Sequence, residues 1–401
     1  MLYWRGETRE LMPNFLANLL NFSRFKLWTR TAERVIGVDV GSSSIKVVQL
    51  RREKGQVILE TYGEMATGPY RNLAVGQAAV LPPDKLTEVT HDLFREANVT
   101  TPLASLAIPL GSSLLIIVEI PRVGPEMLAK VIPIEARKYI PVPISEVALD
   151  WWVIPKPRPT ESEKAAREAE VAAGDEVAKQ SSVLAENKLE VLVVAIHNAV
   201  ISQYQNLCQS LGLTPAFFEI ETFSAIRAVY GGEAAPTVIL DLGAGTTKLA
   251  IVDSGIVRLS HTIAKGAQDI TVALSRSLGV DFAKAEEIKR RVGLVERYNG
   301  QSVTPIVSSI LEYIFSEVNK ALTVYQAKQK RAVNKIVLIG GGALLRGLLE
   351  LAGQSFEVPV TLGRPFDKTR APAFLENLLA EAGPGFSVAI GLALRHLQSL
   401  D

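Results

Sequence analysis

Two segments of the sequence place an aspartate, a glycine and several hydroxyl groups where they could surround a phosphate. The first, residues 36–50, has an apolar strand, a tight polar turn and a second apolar strand, with Asp39, Gly41, Ser42, Ser43 and Ser44 at the turn. Because glycine has no Cβ, backbone N–H groups and hydroxyls can approach an anion closely there. A carboxylate repels phosphate, so Asp39 is expected to hold Mg²⁺, which binds carboxylates together with phosphate oxygens and water.

The same pattern returns about two hundred residues later, in residues 238–252, whose turn contains Gly245, Thr246 and Thr247. Aligning the two segments pairs Asp39 with Asp241, Gly41 with Gly243 and Lys46 with Lys248. One Asp-x-Gly turn is weak evidence, since such turns are common in β-structure. Two in the same register predict a duplicated domain in which Asp39 and Asp241 share one metal ion and the lysines face phosphate oxygens.

A third glycine cluster follows the apolar strand 335–339 and consists of Gly340, Gly341 and Gly342, with Ala343 next. Bare backbone at this point could contact the sugar and base of a nucleotide. The following residues, 344–351, are predicted to form a helix whose N-terminus faces the same cleft. The sequence has neither a P-loop nor a Gly-x-Gly-x-x-Gly motif, so no rival phosphate motif competes.

The two hairpins and the Gly340–Ala343 turn resemble the actin-like ATPases. This resemblance implies an α/β, duplicated actin-like (ribonuclease-H-like) two-domain fold with a small α+β strand-helix-strand-strand insert in the first domain. Within the superfamily, residues 106–152 are most similar to the type IV pilus assembly protein PilM family, which is related to FtsA. The supporting stretches are Val118–Pro121, Ile134–Pro141 and Leu149–Trp151.

The resemblance also implies roles for further residues. ATP and Mg²⁺ would bind between the halves, Glu221 would orient the attacking water, and Glu286 and Lys289 would contact the ribose and base. Two departures weaken the match: Thr222 stands where relatives have proline, and Lys265-Gly266 stands where they have Gly-Gly. On residue types alone, Glu221 could equally be a helix N-terminal acid, and Glu286 with Lys289 an ordinary surface pair.

The order of apolar and polar segments predicts the domain organisation. We expect an N-terminal amphipathic extension (1–34), a first actin-like half (35–103, completed by 213–230), an inserted α+β module (104–212) containing a mobile charged loop (156–188), and a second half (231–401) with a closing helix over 386–397. The extension is basic and apolar, so it either lies on an anionic membrane or in a partner groove, or docks on its own domain.

Composition limits the possible functions. The chain has 401 residues, 48% of them hydrophobic and 21% charged, and a net charge of +1, which gives no general attraction to nucleic acid. The single cysteine, Cys208, excludes an internal disulfide, and the four histidines lack metal-ligand spacing. No apolar run reaches 18 residues and no secretory signal is evident, so we expect a cytoplasmic protein.

The resemblance implies a cytoplasmic, ATP-binding scaffold of type IV pilus assembly with slow or no hydrolysis. Its expected partners are the N-terminal segment of a PilN-like inner-membrane protein and the pilus motor ATPases or platform components, with self-association and peripheral membrane association possible. One alternative is an FtsA-like filament former, although the chain lacks the basic C-terminal tail of FtsA. A small-molecule kinase of the same superfamily is a further alternative, but no cluster of acids and amides suited to a sugar is present.

Overall fold

The computed structural model describes residues 34–155 and 188–399. Apart from Arg34 and Lys188, the predicted N-terminal extension and the predicted charged loop lie outside the described residues. The described chain divides into two compact units, one formed by residues 113–155 and 188–198, the other by residues 34–112 and 199–399.

Fifteen strands and ten α-helices are described in these ranges. The strands are β1 Arg34–Val40, β2 Ser44–Glu53, β3 Gln56–Ala66, β4 Leu103–Ile108, β5 Ser113–Pro121, β6 Val147–Val153, β7 Lys188–His197, β8 Thr214–Ile220, β9 Thr237–Leu242, β10 Thr247–Asp253, β11 Ile256–Ile263, β12 Arg297–Tyr298, β13 Gln301–Ser302, β14 Lys335–Ile339 and β15 Val360–Leu362. The helices are α1 Pro83–Glu96, α2 Pro125–Ala136, α3 Asn198–Ser210, α4 Glu221–Val229, α5 Ala267–Leu278, α6 Phe282–Arg291, α7 Thr304–Gln329, α8 Leu348–Ser355, α9 Glu376–Ala382 and α10 Ser387–Gln398.

The larger unit contains the same five-stranded sheet twice. The strand orders are β3-β2-β1-β4-β8 and β11-β10-β9-β14-β15, in each case an antiparallel three-stranded meander extended by two parallel strands. The register is also repeated, because Asp39 pairs with Lys46 in the first sheet and Asp241 with Lys248 in the second. The predicted duplicated α/β fold is therefore confirmed.

Buried side chains explain why the central strands read as nearly continuous apolar runs. Val35, Val48 and Leu50 of the first sheet form one core with Ile390 and Leu394 of α10. Helix α1 packs on β2 and β3, whereas α10 packs on β1, β2 and β4. Strands covered on both faces lose the polar alternation of a half-exposed sheet.

Helix α10 returns the chain from the second half to the first, as predicted for residues 386–397. It crosses α4 so closely that a Cβ added to Gly391 would lie 1.8 Å from the carbonyl oxygen of Ser224. On the sheet side, a Cβ added to Gly37 of β1 would lie 1.9 Å from the carbonyl oxygen of Ala389. Glycine is required at both positions because the backbones touch directly.

The smaller unit is a three-stranded antiparallel sheet, β5-β7-β6, with α2 packed on it through Ile132 and Ala136. Its chain order, strand-helix-strand-strand, confirms the predicted type of insert. The unit is narrower than the predicted range 104–212. Strand β4 pairs with β1 and β8, and Tyr204 of α3 contacts Phe218 of β8, so both flanking elements belong to the larger unit.

One described stretch, Ala373–Gln398, is long and apolar enough to cross a membrane by length and composition, and its most apolar window has a mean hydropathy of 1.3. The sequence had predicted no such stretch. Of its most apolar window, 67% is buried inside the protein. Packing of α10 against the first sheet accounts for this apolar character.

Candidate functional site

The two Asp-x-Gly turns have the same backbone geometry. The amide of Gly41 donates to the carbonyl of Ser44 at 3.0 Å, and the amide of Gly243 donates to the carbonyl of Thr246 at 3.0 Å. A Cβ added at either glycine would lie 2.8 Å from that same carbonyl oxygen. The tight turn therefore requires glycine. The neighbouring backbone amides and side-chain hydroxyls lie at the hairpin tip.

The two hairpin tips face each other across a cleft of about 580 Å³. The position of a Cβ at Gly245 lies only 3.6 Å from Ser42 Oγ, so the tips meet. The cleft brings together most of the residues predicted from the sequence: Asp39, Gly41, Ser42, Ser43, Ser44, Lys46, Glu221, Asp241, Gly243, Gly245, Thr246, Lys248, Glu286, Lys289, Gly340, Gly341 and Gly342.

Three predicted site residues do not line this cleft. Thr247 is fully buried and its hydroxyl donates to the carbonyl of Lys265, because successive side chains of β10 point to opposite faces and Lys248 faces the cleft. Ala343 is buried in the core of the second half. Gly266 packs beneath the second tip, where a Cβ would lie 2.4 Å from the carbonyl oxygen of Ala244.

Asp39 is the most electrostatically perturbed acid of the cleft. Burial raises the pKa of its carboxyl to about 6, and Lys46 opposes this shift. The negative charges of Glu221 and Asp241 add to the rise, while Lys248 lowers it. The two lysines therefore do not fully offset the cost of burying the negative charge of Asp39, and a bound cation would stabilise the ionised carboxylate.

Replacing Asp39 by asparagine is expected to stabilise the protein in the absence of nucleotide. The pKa of about 6 exceeds the ordinary 3.8, so the folded state holds the proton more tightly and the free energy of unfolding falls as pH rises between these values. Above pH 6 the ionised carboxylate costs of the order of 1–3 kcal/mol. Thermal unfolding of Asp39→Asn should therefore show a higher Tm at pH 7.5, with a smaller gain at pH 5.

The matched control for this change is Glu312→Gln, an acid-to-amide change at an exposed position of α7. It should leave the Tm within about one degree of the parent, since exposed substitutions have small effects. An unchanged or lower Tm of Asp39→Asn at pH 7.5 would contradict the assigned burial cost.

Lys248 joins the second hairpin to the start of α4. Its Nζ lies 2.7 Å from Glu221 Oε2 and 3.6 Å from Asp241 Oδ2, and the amide of Leu110 donates to Glu221 Oε1 at 2.6 Å. Burial disfavours the charged amine, but Glu221 and Asp241 outweigh it and raise the pKa of Lys248. Sequence reasoning missed this ion pair, because the partners are 27 positions apart on different elements.

Lys46 occupies the equivalent position of the first hairpin but has different partners. Its Nζ donates to Ser44 Oγ at 2.7 Å and lies 3.1 Å from Glu64 Oε1. Burial alone would raise the pKa of Glu64, yet Lys46, Ser44 and the more distant Arg290 lower it. Lys46 is therefore held at the tip, and Glu64 is a cleft residue that the sequence did not indicate.

Glu286 is 6% exposed, so the surface-pair alternative is wrong for it. Its carboxylate accepts from Thr271 Oγ1 at 2.7 Å and from Arg290 Nε at 2.7 Å, and lies 2.6 Å from Lys289 Nζ. Burial alone would raise the pKa of Glu286, but Lys289, Thr271 and Arg290 together lower it. A fixed carboxylate at the cleft wall is suited to accept hydrogen bonds from ribose hydroxyls.

The triglycine turn brings bare backbone to the cleft. Gly340 has φ 83°, and a Cβ there would lie 2.3 Å from Asp241 Oδ1, whereas one at Gly341 would meet nothing within 4 Å. The predicted helix 344–351 is wrong at its start. Residues Gly341–Leu344 form a 3₁₀ turn, and α8 begins only at Leu348, because Gly347 adopts φ 81°.

The donor set fits a magnesium ion that is bound together with a nucleotide. Within residues 34–155 and 188–399, no group of three or more His, Cys, Asp or Glu side chains could hold a metal ion. Two acids, Asp39 and Asp241, line the cleft at the hairpin ends. Mg²⁺ commonly uses one or two carboxylates plus substrate phosphates and water, so these residues match its requirements.

Two equivalent sheets with glycine turns facing each other across a cleft define the class as an actin-like fold. Structural comparison agrees. The chain is similar to a solved "PilM-PilN type IV pilus biogenesis complex" (TM-score 0.73, 22% identity, 92% of this chain and 99% of that chain). It is also similar to the ethanolamine utilization protein EutJ from Carboxydothermus hydrogenoformans (TM-score 0.51, 15% identity, 90% and 89%).

The family model described as "Type IV pilus assembly protein PilM" matches residues 37–397, and the chain belongs to that family. The resemblance inferred from the sequence is therefore confirmed. The chain is also similar to the cell division protein FtsA of Neisseria meningitidis serogroup B, with 28% identity over 164 residues, which is 34% of this chain and 39% of the relative. FtsA of Pseudomonas aeruginosa is 27% identical over 180 residues, covering 40% and 42%. The chain thus spans about two fifths of the length of these relatives.

Proposed function

We propose that the chain binds ATP with Mg²⁺ in the cleft between its two hairpins. The observation that supports this most directly is the approach of Ser42 Oγ to Gly245, because it places two glycine turns on opposite sides of one cavity. The tips would bind the β- and γ-phosphates, and Asp39 and Asp241 would hold the metal. When bound, Mg²⁺ would neutralise charge on the phosphate oxygens.

The adenosine would lie along the second half. Glu286 and Lys289 would contact the ribose and base, and the Gly340–Gly342 backbone would form the adjoining wall. Apolar side chains of Ile270, Leu344 and Leu345 also line the cleft, which suits a planar base.

Glu221 is the proposed water-orienting residue. One of its oxygens accepts from the Leu110 amide and the other pairs with Lys248, so the carboxylate is fixed in position. Each oxygen keeps a lone pair that could accept from water. A carboxylate already paired with an ammonium is a poor proton acceptor, so we propose slow hydrolysis and a nucleotide that mainly sets the angle between the halves.

We further propose that the chain is a scaffold on the cytoplasmic side of the inner membrane that binds the N-terminal segment of a PilN-like protein and links it to the motor ATPases. Family membership and the solved PilM-PilN complex support this proposal. A groove of about 570 Å³ in the larger unit offers a site for an extended peptide. It lies between the start of α1 and α3 and is lined by Pro83, Asp84, Leu86, Thr87, Ala199, Ser202, Gln203, Asn206, Leu207 and Ser210.

A groove-filling substitution tests the partner proposal. Gln203→Trp should weaken binding of a labelled peptide from the N-terminus of the PilN-like protein by more than about tenfold, since a large side chain would occupy the peptide's place. Gln205→Trp is the matched control, because Gln205 is exposed on the same helix but does not line the groove. Fluorescence anisotropy measures both, and equal affinities would exclude this groove.

The second candidate function is an FtsA-like filament, which the partial similarity to FtsA favours. Sedimentation with ATP and Mg²⁺ separates the candidates. ATP-dependent pelleting without peptide binding would support the filament.

A further inference from the structure

The segment between β3 and α1, residues 67–82, borders the cleft through Val75 and Gly76. We call it the strap. It has its own internal hydrogen bonds, from the Leu73 amide to the Gly68 carbonyl at 3.0 Å and from the Gln77 amide to the Ala74 carbonyl at 3.1 Å. The strap is therefore a locally folded segment.

One side of the strap is attached to the first phosphate hairpin. The hydroxyl of Thr67 donates to the carbonyl of Ser42 at 3.0 Å, and the amide of Ala79 donates to the same carbonyl at 2.8 Å. The amide of Thr67 donates to the carbonyl of Ser43 at 3.0 Å. Any ligand that fixes the backbone of this tip also fixes the strap.

The other side of the strap touches the second half of the protein. The amide of Ala78 donates to Gln268 Oε1 of α5 at 2.6 Å. Gly76, with φ +84°, lies so close to Glu286 that an added Cβ would stand 2.8 Å from the carboxylate carbon. Val75 lines the cleft and is 53% exposed. These contacts join the first half to the second half beside the cleft.

We propose that Gln268 is a positioning residue that, through the strap, sets how long a nucleotide stays bound. Gln268 is not among the residues that line the cleft, and its side chain accepts from the Ala78 amide. Its backbone amide donates to the carbonyl of Ala244 at 2.9 Å, a contact that a change of side chain leaves in place. Breaking the hydrogen bond to Ala78 leaves the packing of Gly76 against Glu286 to hold the strap to the second half, so the strap moves away from the cleft more readily. This inference rests on the proposed nucleotide site. It adds that the strap, which is hydrogen-bonded to the first hairpin tip, controls the rate at which nucleotide is exchanged.

A release measurement tests the proposal. Stopped-flow release of a fluorescent ADP analogue should be roughly three to ten times faster from Gln268→Ala, the effect of losing one hydrogen bond. Gln268→Glu keeps an acceptor for the Ala78 amide and should restore release to within about twofold of the parent. Gln354→Ala, an exposed change on α8 outside the cleft, should have no effect.

Hydrogen exchange of the Ala78 amide in nucleotide-free protein provides a second measurement. It should speed up in Gln268→Ala and return in Gln268→Glu, with an unchanged Tm in both. If the parent binds nucleotide but release and exchange are the same in all variants, the strap proposal is overturned and the nucleotide site stands. If the parent binds no nucleotide, both are overturned.

Discussion

Asp241→Ala is expected to lower the affinity for Mg-ATP about a hundredfold. The Asp241 carboxylate lies beneath Gly340 and 3.6 Å from Lys248, so its removal deletes a proposed metal ligand and leaves the lysine less well paired. Losing a charged contact of this kind costs roughly 1.5–3 kcal/mol, and 1.4 kcal/mol corresponds to a factor of ten. Asp39→Ala should have a comparable effect. Isothermal titration calorimetry measures both.

Magnesium dependence distinguishes loss of a metal ligand from general damage. Chelation with EDTA should weaken nucleotide binding by the parent protein strongly and by the two variants only slightly. Asp367→Ala, at an exposed position outside the cleft, provides the control and should bind like the parent. Binding by Asp241→Ala that is as tight and as magnesium-dependent as in the parent would end the two-hairpin assignment.

Glu219→Gln should cost the protein about 3–5 kcal/mol of unfolding free energy at pH 7. Glu219 is 3% exposed at the end of β8. Its carboxylate accepts from Arg227 at 2.6 and 2.8 Å and from Arg395 of α10 at 2.8 Å. Glu219→Gln removes the buried negative charge that both guanidinium groups contact, and removing one partner of a buried ion cluster is strongly destabilising.

The pH dependence of this effect has a definite sign. Burial alone would raise the pKa of Glu219, but Arg227 and Arg395 lower it to about 2. The stabilisation is therefore complete above pH 4.5 and is lost as pH falls toward 2. Urea unfolding should show a large difference between parent and variant at pH 7 and a smaller one at pH 3.

A surface substitution serves as the comparison for Glu219. Glu317→Gln breaks an exposed pair with Lys320 on α7 and should cost less than about 1 kcal/mol. Equal losses for the two variants, or a loss at Glu219 that does not change with pH, would contradict the buried-cluster interpretation.

Local patterns were enough to predict the duplicated fold and the hairpin tips. Asp39 and Gly41 lie between two apolar runs, so the residues next to the turn in sequence are enough to predict a hairpin. The repeat at Asp241 and Gly243 then fixes the alignment of the two hairpins.

Features that depend on distant contacts were missed. The pairing of Gln268 with Ala78 spans 190 positions, and nothing in either neighbourhood indicates it. The helix predicted from Leu344 begins only at Leu348, because Gly347 has a left-handed conformation. A single glycine within a helical pattern does not by itself predict a left-handed conformation. The need for glycine at position 391 of α10 likewise becomes evident only from the structure, where the backbone of Ser224 in α4 contacts it.

The position of α10 has a consequence for synthesis on the ribosome. The first sheet begins at residue 34, yet its face over β1, β2 and β4 is covered by residues 387–398. While the nascent chain is shorter than this, Val35, Val48 and Leu50 lack the helix that buries them. The apolar faces of β1 and β2 must therefore stay open to chaperones until more than three hundred further residues have been made.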